Sequence, residues 1–93
     1  MQKTIYTKQQ EVLLSLLVAA RKAADVTQDE LADWLGITQS EVSKHERGER
    51  GLDFLQVRSW VQALGLPFEA FVVAFEEKLS KQLIDAPGRA GSL

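Results

Sequence analysis

Thr27-Gln-Asp-Glu-Leu-Ala-Asp-Trp-Leu-Gly36-Ile-Thr38-Gln-Ser-Glu-Val-Ser-Lys-His-Glu-Arg-Gly48 is the stretch whose reading decides the fold. Thr27 and Thr38 each stand three residues before a glutamate, Glu30 and Glu41. That spacing predicts two capping boxes. In each, the threonine hydroxyl accepts from the third helical N–H and the glutamate reaches back to the threonine N–H. Leu31 and Leu35, four apart, mark the inner face of a helix over 28–35. Asp29 and Glu30 in its first turn suit the positive end of the helix dipole. Gly36 follows the last apolar residue and can take the left-handed conformation that ends a helix. Ile37 plugs the turn, and a second helix runs from about residue 39 to 47, stopping at Gly48.

This second helix is polar almost all round, with Val42 its only large apolar residue. A helix in mid-chain that buries so little is either a solvated strut or a face presented to a partner. Gln39, Ser40, Ser43 and Lys44 fall on one side, away from Val42. The major groove of a duplex admits one helix and presents the full hydrogen-bond code of the base pairs. Glutamine pairs with adenine, lysine donates to guanine, and serine serves either. Gln28, opening the preceding helix, stands where a side-chain amide and helix amides meet a phosphate. Arg47 and Arg50 are candidates for flanking phosphates. Glu41 is the dissenting residue on this helix: it points away from the DNA backbone or reads a cytosine amino group.

The flanking segments read as supports. Residues 1–8 form a polar arm, and Thr7 with Gln10 predicts a cap for a first helix over about 8–24. Leu13, Leu17, Ala20 and Ala24 make its inner stripe. Leu14, Leu16 and Val18 broaden that stripe beyond one contact, which calls for a second covering element or a dimer surface. Asp53 caps a fourth helix over 54–64, whose face carries Phe54, Val57, Val61 and Leu64 with Trp60 beside them. Gly65 stops it. Pro67 suits a first helical position, and a fifth helix to about residue 84 carries Phe68, Phe71, Val72, Phe75, Leu79 and Leu83 at helical spacing. Residues 85–93, with Pro87 and two glycines, read as a flexible tail. Trp34 falls off the Leu31–Leu35 face and is expected to pack under a neighbouring segment such as the arm at Tyr6. His45 is expected on the helix surface.

Ninety-three residues make one domain, near the size where oligomerisation adds useful stability. The absence of cysteine excludes disulfides, thiolate metal sites and a cysteine nucleophile, and it fits a reducing cytoplasm. His45 is the only histidine and has no partner ligand at metal-binding spacing. Ser40 and Ser43 have no histidine–acid arrangement around them, so no enzyme, cofactor or metal is expected. The apolar run Val12–Ala20 is about half of the ~20 residues a membrane span needs, and Arg21-Lys22 rather than a small-residue cleavage site follows it. Net charge is −2, which argues against nucleic acid if taken alone. Its distribution matters more: Asp25, Asp29, Glu30 and Asp33 are followed by Lys44, Arg47, Arg50 and Arg58, which predicts a modest local basic face.

Taken with their spacing, Thr27-Gln28, Leu31-Ala32, Leu35-Gly36-Ile37, Gln39-Ser40, Val42-Ser43, Glu46 and Gly48 resemble the XRE, or lambda-repressor-like, helix-turn-helix family over roughly residues 11–72. The resemblance implies an all-α, compact five-helix DNA-binding domain over 9–84, here with an extended C-terminal helix. Its third helix would dock in the major groove, usually as a dimer on a palindromic site. It also implies an ion pair between Arg21, near the end of the first helix, and Glu46, near the end of the third. The expected DNA contacts are Gln28, Thr38, Gln39, Ser40, Ser43, Lys44, Arg47 and Arg50. Pairing of two copies falls to the fifth helix through Phe71, Phe75 and Leu79. The resulting expectation is a cytoplasmic, nucleoid-associated, sequence-specific regulator, a bacterial or prophage repressor acting as a homodimer on double-stranded DNA. The alternative is a protein-interaction module or antitoxin-like partner on the same fold, which the acidic balance favours. Gly51 departs from the polar or basic residue frequent at that position and removes one phosphate contact.

Overall fold

A computed structural model describes residues 5–82 and the side chains of 7–81. Five α-helices follow one another, and no strand occurs among the described residues: α1 (Ile5–Ala23), α2 (Gln28–Leu35), α3 (Gln39–Glu46), α4 (Phe54–Ala63) and α5 (Phe68–Gln82). Residues 1–4 of the expected arm, the end of the long apolar stripe at Leu83 and the expected tail lie outside the described residues.

Local chemistry sets the helix starts. Thr27 and Thr38 form complete capping boxes with Glu30 and Glu41, and Asp53 forms a third with Gln56. Thr7 is not a cap. α1 begins at Ile5 and runs through it, because nothing in Ile5-Tyr6-Thr7-Lys8 breaks a helix. α5 starts one residue later than expected. Pro67 lies just outside it, and its carbonyl accepts from Phe71 N–H at 3.2 Å.

Four helix ends share one geometry. After α2, Ile37 N–H donates to Ala32 O at 3.0 Å across Gly36 (φ 72°). After α3, Glu49 N–H donates to Lys44 O at 2.9 Å across Gly48 (φ 78°). After α4, Leu66 N–H donates to Val61 O at 3.2 Å across Gly65. After α1 the left-handed residue is Asp25 (φ 61°), with Val26 N–H donating to Arg21 O at 3.1 Å. These are Schellman closures, which satisfy carbonyls that a helix end would otherwise orphan. Aspartate is one of the few side chains that enters this region with little strain.

The core draws one fully buried side chain from each of the first four helices: Leu17, Leu31, Val42 and Val61. Trp60 and Leu64 extend it, and Phe71, 7% exposed, brings α5 into it. α5 is thus the covering element that the broad stripe of α1 calls for, while α3 covers another part of α1. Removing a side chain such as Leu31 to alanine costs ~2–5 kcal/mol through lost burial and the cavity left behind.

Three side chains depart from the sequence reading. Phe54 is 67% exposed, because the first turn of α4 projects past the core, and its ring packs edge-on against Phe68 at 5.4 Å between centroids. Trp34 is 56% exposed rather than covered by the described residues, and the side chain of Tyr6 lies outside them. His45 is only 4% exposed. It follows Val42 by three positions and so shares its inner face. There its ring meets Trp60 edge-on at 5.9 Å, and Nδ1 lies 2.9 Å from Arg50 O.

Gly36 and Gly48 separate two effects of adding a side chain. A Cβ at Gly36 meets nothing within 4 Å, whereas one at Gly48 meets Leu14 Cδ1 of α1 at 3.2 Å. Gly36→Ala is expected to cost the left-handed backbone penalty of about 1–2 kcal/mol. Gly48→Ala is expected to cost that penalty plus the displacement of Leu14. Urea unfolding of the two variants measures the difference, and equal midpoints would contradict this close packing of the α3 end on α1.

Candidate nucleic-acid interface

The unit α2–Gly36–α3 is two helices of two turns each, too short to stand alone in water. Their relative angle therefore comes from what holds them. Leu31 and Ala32 of α2 and Val42 of α3 are buried, with Leu35 and Ile37 packed against the same core.

Polar contacts fix the angle further. Arg21 Nε donates to Glu46 Oε2 at 2.6 Å and Arg21 Nη2 donates to Glu46 Oε1 at 3.0 Å. The two side chains are 10% and 7% exposed. Arg21 Nη1 donates to the Val26 carbonyl at 3.0 Å. Gln28 Nε2 donates to Glu46 Oε1 at 2.8 Å, and Gln39 Nε2 donates to Gln28 Oε1 at 2.7 Å. One chain of bonds thus runs from α1 to the end of α3, across to the start of α2, and back to the start of α3. The ion pair expected between Arg21 and Glu46 is present. Gln28 and Gln39, expected to act separately, are bonded to each other.

Val42, His45 and Glu46 turn one side of α3 inward, so Gln39, Ser40, Ser43, Lys44 and Arg47 share the opposite arc of about 140° at 100° per residue. Gln39, Ser40 and Arg47 are exposed, and Ser43 and Lys44 are half-buried. Ser40 and Lys44 make no side-chain hydrogen bond among the described residues. Thr38 is exposed, but its hydroxyl accepts from Glu41 N–H at 3.0 Å as the α3 cap.

The two arginines are already partnered within the chain. Arg47 donates to both Glu49 carboxylate oxygens at 2.9 and 3.0 Å and also to Ser43 Oγ. Arg50 reaches Glu41 at 3.4 Å. Glu41, the dissenting acid of α3, is occupied at home: it accepts Thr38 N–H at 2.9 Å and faces Arg50 across a cleft whose other wall is α4. The Thr38 N–H bond first, and Arg50 more weakly, hold its carboxyl below the usual glutamate range. Hydrogen bonding from Arg47 does the same to Glu49 and raises Arg47 in return. Lowered carboxylates favour the folded state fully above their unfolded value of about 4.3 and lose that preference as pH falls through the folded values. At this exposure the contribution is small.

Sequence patterns reveal these pairs only weakly. Glu46-Arg47-Gly48-Glu49-Arg50 alternates in sign, but which acid meets which base depends on the left-handed turn at Gly48. The burial of His45 had a plainer signal in its three-residue offset from Val42.

Two capped helices at a glycine corner, with the second one exposing a polar arc, define a helix-turn-helix unit. A helix-turn-helix family model matches residues 17–71, more than half of the chain. The chain therefore belongs to the XRE, or lambda-repressor-like, helix-turn-helix family, a family of DNA-binding transcription regulators. Comparisons with curated proteins and with solved structures gave no match. No described helix is long and apolar enough to cross a membrane.

Removing one member of the buried pair strands the other. Glu46→Ala is expected to destabilise the protein by ~3–5 kcal/mol, because a guanidinium is left in a nearly dry site. Replacing both partners, Arg21→Met with Glu46→Met, is expected to restore much of that loss. Chemical denaturation of the single and double variants gives the comparison. A double variant no more stable than Glu46→Ala would show that the pair is not the determinant.

Proposed function

We propose that the chain is a sequence-specific repressor that binds palindromic double-stranded DNA as a homodimer and reads the major groove with α3. The observation that carries this reading is the division of α3 into a clamped inner face, Val42, His45 and Glu46, and an outer arc of hydrogen-bonding side chains. Gln39, Ser40, Ser43 and Lys44 are the base-reading set. Gln28 orients Gln39 through their 2.7 Å bond and meets the phosphate beside it. Thr38 and Arg50 flank the reading set towards the DNA backbone. Arg47 contacts phosphate by exchanging Glu49 for it.

Pairing falls to the C-terminal half of α5. Phe75 and Leu79 are half-buried within one copy and retain surface for a second. Phe71, expected among the pairing residues, is withdrawn from that role because its ring belongs to the monomer core. Two copies double the cationic contacts of a unit that is almost neutral, which supports dimeric binding. Occlusion of a promoter by two half-sites about one helical turn apart is the corresponding mode of action.

Selection of bound sites from random duplex DNA tests the reading directly. A palindromic consensus is expected, and the absence of any enriched sequence would overturn it. On the selected site, Gln39→Ala and Lys44→Ala are each expected to weaken binding by ~1–3 kcal/mol in a gel-shift titration. Arg47→Ala is expected to lower the salt slope by about 1. Glu49→Gln, which frees Arg47, is expected to tighten binding to unrelated duplexes as well. Unchanged affinity in Gln39→Ala and Lys44→Ala would remove α3 as the reader.

A further inference from the structure

The loop between α3 and α4 carries Arg47 and Arg50, and the chain holds the two differently. Arg47 follows α3 directly as its C-cap. Its N–H still donates to Ser43 O at 3.0 Å, so the helix fixes its backbone, and its guanidinium grips both Glu49 oxygens. Arg50 stands past the closure at Gly48. Residues 50–52 belong to no helix, and none of them makes a main-chain to main-chain hydrogen bond among the described residues. Leu52 packs against the core, two positions further on. The Arg50 guanidinium reaches Glu41 at 3.4 Å, with the two side chains 50% and 37% exposed. A pair that long and that wet holds little.

The backbone of Arg50 is held instead by the buried histidine. His45 Nδ1 lies 2.9 Å from the Arg50 carbonyl oxygen. A carbonyl oxygen only accepts, so Nδ1 carries a proton and donates it. The neutral ring is therefore the Nδ1–H tautomer, with its lone pair on Nε2. The ring has little room to swing away, because it is 4% exposed and meets the buried Trp60 of α4 edge-on at 5.9 Å. Trp60, His45 and the Arg50 carbonyl thus join α4, α3 and the loop. Neither helix end requires this bond: Glu49 N–H on Lys44 O closes α3, and Asp53 caps α4. The bond acts on where residue 50 stands. A guanidinium on a held backbone gives up only side-chain freedom when it meets a phosphate, whereas one on a loose loop gives up backbone freedom as well.

We infer that His45 is a positioning residue for DNA binding: without touching the duplex, its Nδ1–H holds the Arg50 backbone so that the guanidinium exchanges Glu41 for a phosphate while the loop stays in place. This inference rests on the reading that Arg50 meets the DNA backbone.

The full chain has one histidine, so its imidazole signals are unambiguous. Long-range proton–nitrogen correlation NMR at mildly alkaline pH is expected to show Nδ1 protonated and Nε2 bare, and the opposite tautomer overturns the inference. The functional test is a cycle of His45→Phe and Arg50→Ala, titrated on the selected duplex. Phenylalanine keeps a ring against Trp60 and removes the donor. The freed carbonyl belongs to an exposed residue, where water can satisfy it. In the otherwise unaltered chain His45→Phe is expected to weaken binding about fivefold, and beside Arg50→Ala to change it by less than about twofold. A purely structural loss weakens both backgrounds alike, and that additivity overturns the inference. So does an Arg50→Ala chain that binds as tightly as the unaltered one. Thermal melting of each variant shows which are folded at the titration temperature. Should His45→Phe not fold, His45→Asn against His45→Ala carries the comparison, because the asparagine amide N–H stands near the place of Nδ1–H. His45→Asn is expected to bind more tightly, and equal affinity of the two overturns the inference. An unaltered chain that enriches no duplex removes the reading of α3 and this inference together, whereas a duplex bound with additive losses removes this inference alone.

Discussion

The buried bond between Arg21 and Glu46 is the constraint on which the rest of the helix-turn-helix unit depends. Neither α2 nor α3 is long enough to hold its own orientation. Apolar contacts through Leu31 and Val42 fix which face turns inward, but such contacts are non-directional and tolerate rotation. A bidentate guanidinium–carboxylate pair is directional, and here it is nearly dry. It connects the last turn of α1 to the last turn of α3. Through Glu46 Oε1 and Gln28 it also governs where Gln39 begins the outer arc. The first side chain of the outer arc is therefore held, through Gln28, by the same carboxylate that secures the opposite end of its helix.

Electrostatics on the outer side works differently. Arg47 and Arg50 are exposed and paired with Glu49 and Glu41. Exposed pairs of this kind add little stability. Their effect is on the field around α3: each acid cancels much of the charge of an exposed cation beside that helix. An acidic protein with such neutralised cations gains little from indiscriminate attraction to DNA.

Much of the fold was legible because its signals are local. Thr27 with Glu30, Thr38 with Glu41, and the stop at Gly36 all operate within a few residues, and the structure has the helix boundaries where those residues set them. The errors arose where one local signal met another or where the outcome depended on distant packing. Thr7 has the chemistry of a cap, yet the preceding residues continue the helix. Phe54 has the spacing of a core residue, yet the end of α4 outruns the core. Trp34 stays more than half exposed among the described residues. His45 has the polarity of a surface residue, yet its offset from Val42 turns it inside, where Trp60 receives it. At the site, the common outer face of Gln39, Ser40, Ser43 and Lys44 is readable from spacing. The bonds among Gln28, Gln39 and Glu46 are not, because they join positions 11 and 18 residues apart.

The corner at Asp25 has a consequence beyond ending a helix. Val26, the residue it positions, is bound to Arg21 twice: its N–H donates to the Arg21 carbonyl, and its own carbonyl accepts from Arg21 Nη1. The backbone carbonyl and the guanidinium of one arginine are thus both held by a single residue just past the turn. A left-handed aspartate in the loop between α1 and α2 acts as the anchor of a lever whose far arm is α3. Sequence drift at this corner would change the pitch of α3 against α1 while leaving every side chain of its outer arc chemically the same.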